Sequence, residues 1–364
     1  MASSKVVIFA LTNDAHAGAI AWSLKQNGAQ VLWGPSLRFN PAMKYSFRAD
    51  GTGIHPESKT FSSGTVSAVW NRYTTVPDAS DCVPEDRLFV TQQWDAFDQN
   101  AFAVPHEMAN ALWLNQPLFA ARAENKLFQL KAAHKVGLSF PETFFSNDAE
   151  DVRDLIDRWG KVVLKTFIGH VWESRSTRET HRISVALLDQ YTEINDRAVA
   201  ICPSIYQRYI EKEFDIRVAV LGDQIFSAKI LRNTGPTYMD WRPHILDEDV
   251  LVEEFTLPEA VEDQIHRFMR EMGLSIGFID LVMDLHGNVQ FLEVNQQGQF
   301  LFVEEKLPQM PLLQAMTSLL LTGRSDYSVG DSKKVHFADY LQSKEFAELC
   351  EAPQRDVEII SYEA

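Results

Sequence analysis

Residues 277–295 read GFIDLVMDLHGNVQFLEVN. Two apolar runs flank His286-Gly287-Asn288, a turn composition that joins neighbouring antiparallel strands. In the second run Glu293 and Asn295 stand two apart, so both side chains leave the same face of the strand. Asp280 lies on the partner strand within pairing range. Two carboxylates and an amide oxygen on one sheet face make a hard oxygen site, which suits Mg2+ because that ion takes a few protein oxygens and completes its shell with water and phosphate. A single acidic residue on a strand is most simply solvated. Three together among Phe278, Ile279, Phe291, Leu292 and Val294 are not, since carboxylates among apolar neighbours are costly without a cation or hydrogen bonds.

Outward from that hairpin lie the cations a phosphate ligand needs. Lys165 ends the apolar strand in KVVLKTF, and Lys126 opens a helix in AENKLFQL. Each alone is a surface lysine. Beside an oxygen metal site they become candidates for nucleotide phosphates, which take point charges as well as Mg2+. In DIRVAVLG, Asp215 and Arg217 alternate with Ile216 and Val218, so one face of that strand carries both. An Arg facing a nucleotide cleft stabilises a transferring phosphoryl group or an acyl phosphate; the plain alternative is a cross-strand ion pair. Asp240-Trp241-Arg242 repeats the acid-x-Arg spacing. The stretch 168–182, IGHVWESRSTRETHR, has no hydrophobic period and reads as a mobile loop carrying Arg175, Arg178, His181 and Arg182.

The whole chain has 364 residues, 45% of them hydrophobic, and a formal net charge of -16. That length accommodates two or three packed units. The acidic balance disfavours nucleic acid as a partner, and no apolar run approaches the about 18 residues of a membrane span. Three separated cysteines without CxxC argue against a disulfide framework or a zinc site and fit a reducing cytoplasm. The opening strand, helix and strand over residues 6–33 form a βαβ unit, hence a parallel sheet covered by helices. Its first turn reads TNDAHAG rather than GxGxxG, so this Rossmann-like layer serves as scaffold. Further helices are expected over 85–110, 123–136, 149–159, 258–272 and 337–351. The P-loop, GxSxG, Cys–His and HExxH signatures are absent.

The series NQPLFAARAENKLFQLKAAHKVGLSFPET, KVVLK, YQRYIEKEFDIRVAVLGDQIFSAKI, DWR and GFIDLVMD–GNVQFLEVNQQGQF, over about residues 115–305, resembles the ATP-grasp carboxylate–amine ligases. Within them it is similar to the RimK-like branch, and VWNRYTTVP with EVNQQGQFLFVEE makes it most similar to the microviridin-type (graspetide) ribosomal peptide ligases. The resemblance implies an ATP-grasp fold, α/β and α+β: a Rossmann-like domain over 1–115, a central subdomain over 116–206, an antiparallel-sheet subdomain with the metal site over 207–325, and a partly helical tail over 326–364. It implies ATP and Mg2+ as cofactors. Lys126 and Lys165 would hold phosphates, and Gln207, Arg208, Tyr209 and Ile210 would line the adenine, with Asp215 near the ribose. Arg217 and Arg242 would face the γ-phosphate and acyl phosphate, and Asp280, Glu293 and Asn295 would bind Mg2+. The partners implied are a precursor peptide with a leader segment and a second copy in a homodimer. The loop after Lys165 departs from the family in having Gly169 and no Gly-rich run. Two other readings stand beside this one: a RimK-like ligase adding free amino acids, and a catalytically silent ATP-binding module.

Overall fold

The computed structural model describes residues 4–11, 13–34, 46–56, 66–72, 82–103, 111–173, 180–233, 235 and 238–351. The first sheet follows from its apolar runs. Strand β1 (Lys5–Phe9) is buried from Val6 to Phe9, helix α1 (Ala15–Gln26) crosses over, and β2 (Gln30–Gly34) returns parallel to β1. Asp14 starts α1 by accepting the Ala17 N–H at 2.9 Å, one of the donors a helix start leaves open. A short antiparallel ribbon, β3 (Phe47–Asp50) with β4 (Gly53–Pro56), was not evident in the sequence pattern. Then come β5 (Val66–Asn71), α2 (Pro84–Ala103) and β6 (Leu112–Leu114), and the sheet order is β2-β1-β5-β6, all parallel. The expected helix over 85–110 thus forms as far as Ala103; 104–110 lie outside the described residues.

The expected helix over 123–136 belongs to a broken pair, α3 (Pro117–Ala123) and α4 (Lys126–Val136). The break has a local cause: the Asn125 side chain accepts the Phe128 N–H at 2.9 Å and caps α4. A second sheet follows, built from β7 (Thr143–Ser146), β8 (Lys161–Glu173), β9 (Thr180–Asp189) and β10 (Ser204–Arg208) in the order β7-β10-β8-β9, every pair antiparallel. Helix α5 (Ala149–Trp159), capped by Asp148, packs Val152, Leu155 and Ile156 on Val162, Leu188 and Tyr206. Helix α6 (Asp196–Ile201) precedes β10. The reading of 168–182 as a loop is corrected in part. The backbone continues as strand to Glu173 and resumes at Thr180, with His170 paired to Ile183 across a register shift. The polar composition of this stretch carries no alternation of apolar residues from which a strand could be read. Arg175 and Arg178 lie outside the described residues, as do the side chains of His181 and Arg182.

The third sheet holds β11 (Lys212–Leu221), β12 (Gln224–Arg232), β13 (Val250–Glu254), β14 (Ile276–Asp284) and β15 (Val289–Asn295), in the antiparallel order β13-β12-β11-β14-β15. Its other face is covered by α4 and α7 (Glu259–Met272), where Ile265, Phe268, Met269 and Met272 meet Val218, Ile279 and Phe291. Helices α8 (Leu301–Lys306) and α9 (Leu312–Thr322) then run to the first sheet. The close approach there requires Gly323: at φ +64° a Cβ would stand 2.2 Å from the Ser67 carbonyl oxygen. The tail helix expected over 337–351 is two, α10 (Phe337–Leu341) and α11 (Lys344–Glu351), divided where the Ser343 Oγ accepts the Phe346 N–H. Among the described residues no helix is long and apolar enough to cross a membrane.

Candidate active site

A cleft of about 750 Å3 opens between the second and third sheets. Its walls carry Lys126, Lys165, the run Gln207–Ile210, Asp215, Arg242, Asp280, Glu293 and Asn295, which are eleven of the twelve residues singled out from sequence. Arg217 is the exception, and its position explains the floor of the site. Arg217, Asp280 and Glu293 are register partners across β11, β14 and β15. They form one row in which a guanidinium stands beside two neighbouring carboxylates, a like-charge pair that needs a further cation.

The hydrogen bonds of that row are short. Arg217 Nη1 donates to Asp280 Oδ1 at 2.7 Å, and its Nη2 donates to the Gln299 carbonyl at 2.7 Å. Arg242 Nη2 donates to Asp280 Oδ2 at 2.6 Å and to Glu293 Oε1 at 2.7 Å. Lys126 Nζ takes the other Glu293 oxygen at 2.7 Å. Asp280 and Arg217 are 4% and 6% exposed, so the cross-strand ion pair anticipated as the plain alternative for Arg217 is real and buried rather than a solvated face. Arg217 acts here on Asp280, behind the cleft wall.

Electrostatics follow from this packing. Burial works to raise the Glu293 carboxyl, but the charges of Lys126 and Arg242 and the Lys126 hydrogen bond outweigh it and hold Glu293 well below the usual carboxylate range. Asp280 raises Arg242 above its ordinary value against the opposing effect of burial. Burial pushes the Lys165 ammonium down to about 8, with Glu293 opposing. It also pushes Asp215 up to about 6, although Lys212 Nζ donates to both carboxylate oxygens at 2.7 Å.

Lys212 had not been singled out. In a regular strand Lys212 and Asp215, three apart, would face opposite sides. A register shift between Lys212 and Phe214 turns Lys212 onto the face of Asp215, a bulge that no period-two pattern reveals. A second group lies behind the site. Arg72, 2% exposed, donates from Nε to Asp14 Oδ2 at 2.7 Å and from Nη1 to the Gln297 and Gly298 carbonyls. His16 Nε2 accepts the Phe300 and Leu301 N–H groups, and burial with the charge of Arg72 pushes this ring down to about 3, keeping it neutral and an acceptor. Arg72, just past β5, and His16, in the first turn of α1, grip the segment that follows Asn295. Arg72 sits in VWNR and His16 in the first turn, where long-range contacts and not local pattern give them their role.

A divalent cation fits the hairpin by donor chemistry. Among the described residues no three His, Cys, Asp or Glu side chains converge; the candidate set is two carboxylates and one amide oxygen. The Arg242 Nη2 atom already bridges Asp280 and Glu293, as a cation between them would. It is carried on a 3-10 turn (Arg242–His244) with a side chain 38% exposed, so it can swing outward.

No family model matches the chain. The probable alpha-L-glutamate ligase 2 of Shewanella frigidimarina is 28% identical over 193 residues, covering 52% of this chain and 61% of that protein. The probable alpha-L-glutamate ligase of Pseudomonas aeruginosa PAO1 gives 28% over 193 residues, covering 52% and 60%. The chain thus spans about 60% of the length of these curated relatives. Among solved structures, a Chryseobacterium gregarium RiPP-associated ATP-grasp ligase, in complex with ADP and a leader and core peptide, superposes with a TM-score of 0.71 at 20% identity, covering 91% of this chain and 99% of that one. The macrocyclase MdnC of Microcystis aeruginosa, bound with the precursor peptide MdnA, gives 0.69 at 21% identity, covering 87% and 99%. The ligase PsnB, complexed with a phosphomimetic variant of its minimal precursor, Mg and ADP, gives 0.68 at 20% identity, covering 89% and 99%. The chain has the ATP-grasp fold of these solved structures, and over about half of its length it is similar in sequence to probable alpha-L-glutamate ligases.

Proposed function

We propose that the chain is an ADP-forming ligase that activates a side-chain carboxylate of a ribosomally made precursor peptide and joins it to a hydroxyl or amine of the same peptide. The observation that carries this reading is the cleft itself, where Lys126, Lys165 and Arg242 meet the Asp280–Glu293–Asn295 row between two sheets. Five cationic side chains (Lys126, Lys165, Arg208, Lys212 and Arg242) line that cleft, so a chain of acidic balance still gathers the positive charge a polyphosphate needs there.

The run Gln207–Ile210 offers backbone groups to a base at one end of the cleft, with Asp215 at hand for a sugar hydroxyl. Lys126 and Lys165 hold phosphate oxygens as point charges. Asp280, Glu293 and Asn295 would hold a divalent cation, which would supply neutralisation of phosphate charge. Arg242 leaves Asp280 and Glu293 and turns to the anion formed in the reaction. Arg217 holds Asp280 in orientation through its 2.7 Å hydrogen bond. In the first step a carboxylate oxygen bonds the γ-phosphorus as its bond to the β–γ bridging oxygen breaks, giving an acyl phosphate and ADP. In the second, the hydroxyl or amine bonds the acyl carbon, loses its proton and expels phosphate. Positioning and charge account for most of the barrier lowered.

A RimK-like ligase adding free amino acids is the second reading, favoured by the glutamate-ligase relatives. Intact peptide mass separates the two. With ATP and Mg2+, a short precursor encoded beside this chain should lose one water per crosslink, with matching ADP. A gain of residue masses with added glutamate would instead establish the second reading. ATP bound with no ADP formed, whatever the acceptor, would leave a silent nucleotide-binding module.

A further inference from the structure

Lys165 reaches the cleft from β8, and its ammonium donates to Gln207 Oε1 at 2.7 Å. Gln207, 4% exposed on the neighbouring strand β10, donates in turn from Nε2 to Thr143 Oγ1 at 2.9 Å. Thr143, on β7, donates its hydroxyl to the Pro141 carbonyl at 2.8 Å. The direction of this chain is fixed by chemistry. An ammonium only donates, so the amide must present oxygen to Lys165; its NH2 then faces Thr143, which must accept, and the threonine proton goes to a carbonyl, which only accepts. Each donor polarises the next bond in the same sense.

We propose that Thr143 is a positioning residue for nucleotide binding: by locking the Gln207 amide it holds a carbonyl dipole on the Lys165 ammonium, keeping that group charged and aimed at the phosphate region. This rests on the reading of the cleft as a nucleotide site and assigns Gln207 to Lys165 rather than to the base. The charged groups that bear on Lys165 from other elements are Glu293 on β15, Asp280 on β14, Arg242 in the turn before β13, and Lys126 on α4. Burial has the largest effect and disfavours the charge. A fixed acceptor at 2.7 Å is the direct contact that opposes it.

Thr143→Val keeps the shape and the strand preference but removes the acceptor for Gln207 and the donor for Pro141. The amide is then free to turn, and the ammonium loses its aligned partner. Two readouts apply to the full chain with Thr143→Val and Thr143→Ser. In the first, acylation of Lys165 by a small amine-reactive anhydride, which releases a carboxylate, is followed by peptide mass against pH, without nucleotide. The wild type should titrate near 8, Thr143→Val at a clearly lower pH, and Thr143→Ser near the wild type. In the second, ATP affinity of Thr143→Val should match the wild type at low pH and fall behind it by up to about tenfold as pH rises, with Ser restoring it. An unchanged Lys165 titration in Thr143→Val overturns the proposal, as does a loss of affinity by the same factor at every pH, the mark of a merely structural residue. A shifted Lys165 titration in a chain that binds no ATP would uphold the hydrogen-bond device and overturn the nucleotide reading on which its purpose rests.

Discussion

Asp280 accepts from two guanidinium groups while 4% exposed, and Glu293 beside it accepts from Lys126 and Arg242. The carboxylates are therefore compensated by Arg217, Arg242 and Lys126 before any ligand arrives. Glu293→Ala is expected to abolish ADP formation, because it removes a metal donor and leaves Lys126 without its partner, while the fold, read by circular dichroism, persists; turnover near the wild-type rate would withdraw the metal assignment. Arg217→Met is expected to act on stability as well. It strands one side of a buried carboxylate, a change of about 3 kcal/mol, visible as an earlier urea midpoint with the slope unchanged. The pair spacing of Glu293 and Asn295, and the alternation that put Asp215 and Arg217 on one face, were legible in the sequence because side-chain direction in a strand has period two. That Arg217 serves Asp280 rather than the cleft was not, since register across strands is a long-range property.

Elements place these residues through local devices of differing visibility. Lys126 is the first residue of α4, and Asn125 caps that helix. Asn125→Ala is expected to lower stability by about 1 kcal/mol and to weaken ATP binding by loosening Lys126, with Asn125→Asp retaining both properties; equal ATP affinity in the alanine variant would separate the cap from the site. Behind the hairpin, a Cβ on Gly298 would stand 2.7 Å from Arg217 Nη2 and 2.9 Å from Phe278 Cβ. Gly298→Ala should therefore push Arg217 off Asp280 and lower kcat more than it raises the KM for ATP, measured by ADP release. The hairpin could be read from composition, because turn chemistry is local. The bulge at Lys212, the short ribbon β3–β4 and the strand continuation past Lys165 could not, since a register shift or a polar strand leaves no alternation to detect.

At the scale of the molecule, one apolar core joins the first sheet to the end of the chain. Ile8, Ile20 and Trp70 share it with Met316, Leu320, Phe337 and Tyr340. The tail, which carried no role in the sequence, wraps α1: the Tyr340 ring lies 5.8 Å from that of Trp22 and occupies the space a side chain at Gly18 would need. Tyr340→Ala is expected to lower stability by about 3 kcal/mol, with α1 amides exchanging faster than those of β14; uniform exchange across both would show a single cooperative unit instead. Apolar helices of the tail were visible as pattern, but not which surface they cover. Arg72 and His16 fasten the segment after Asn295 to the N-terminal layer, which therefore sets the backbone next to the β14–β15 hairpin. The central claim is that a carboxylate is activated by phosphoryl transfer in this cleft. Its most direct test is a precursor peptide whose carboxyl groups carry heavy oxygen, incubated with ATP and Mg2+. The account predicts one heavy oxygen transferred to inorganic phosphate for every ADP formed with a crosslink. Phosphate free of label, with crosslinks still accumulating, would contradict it.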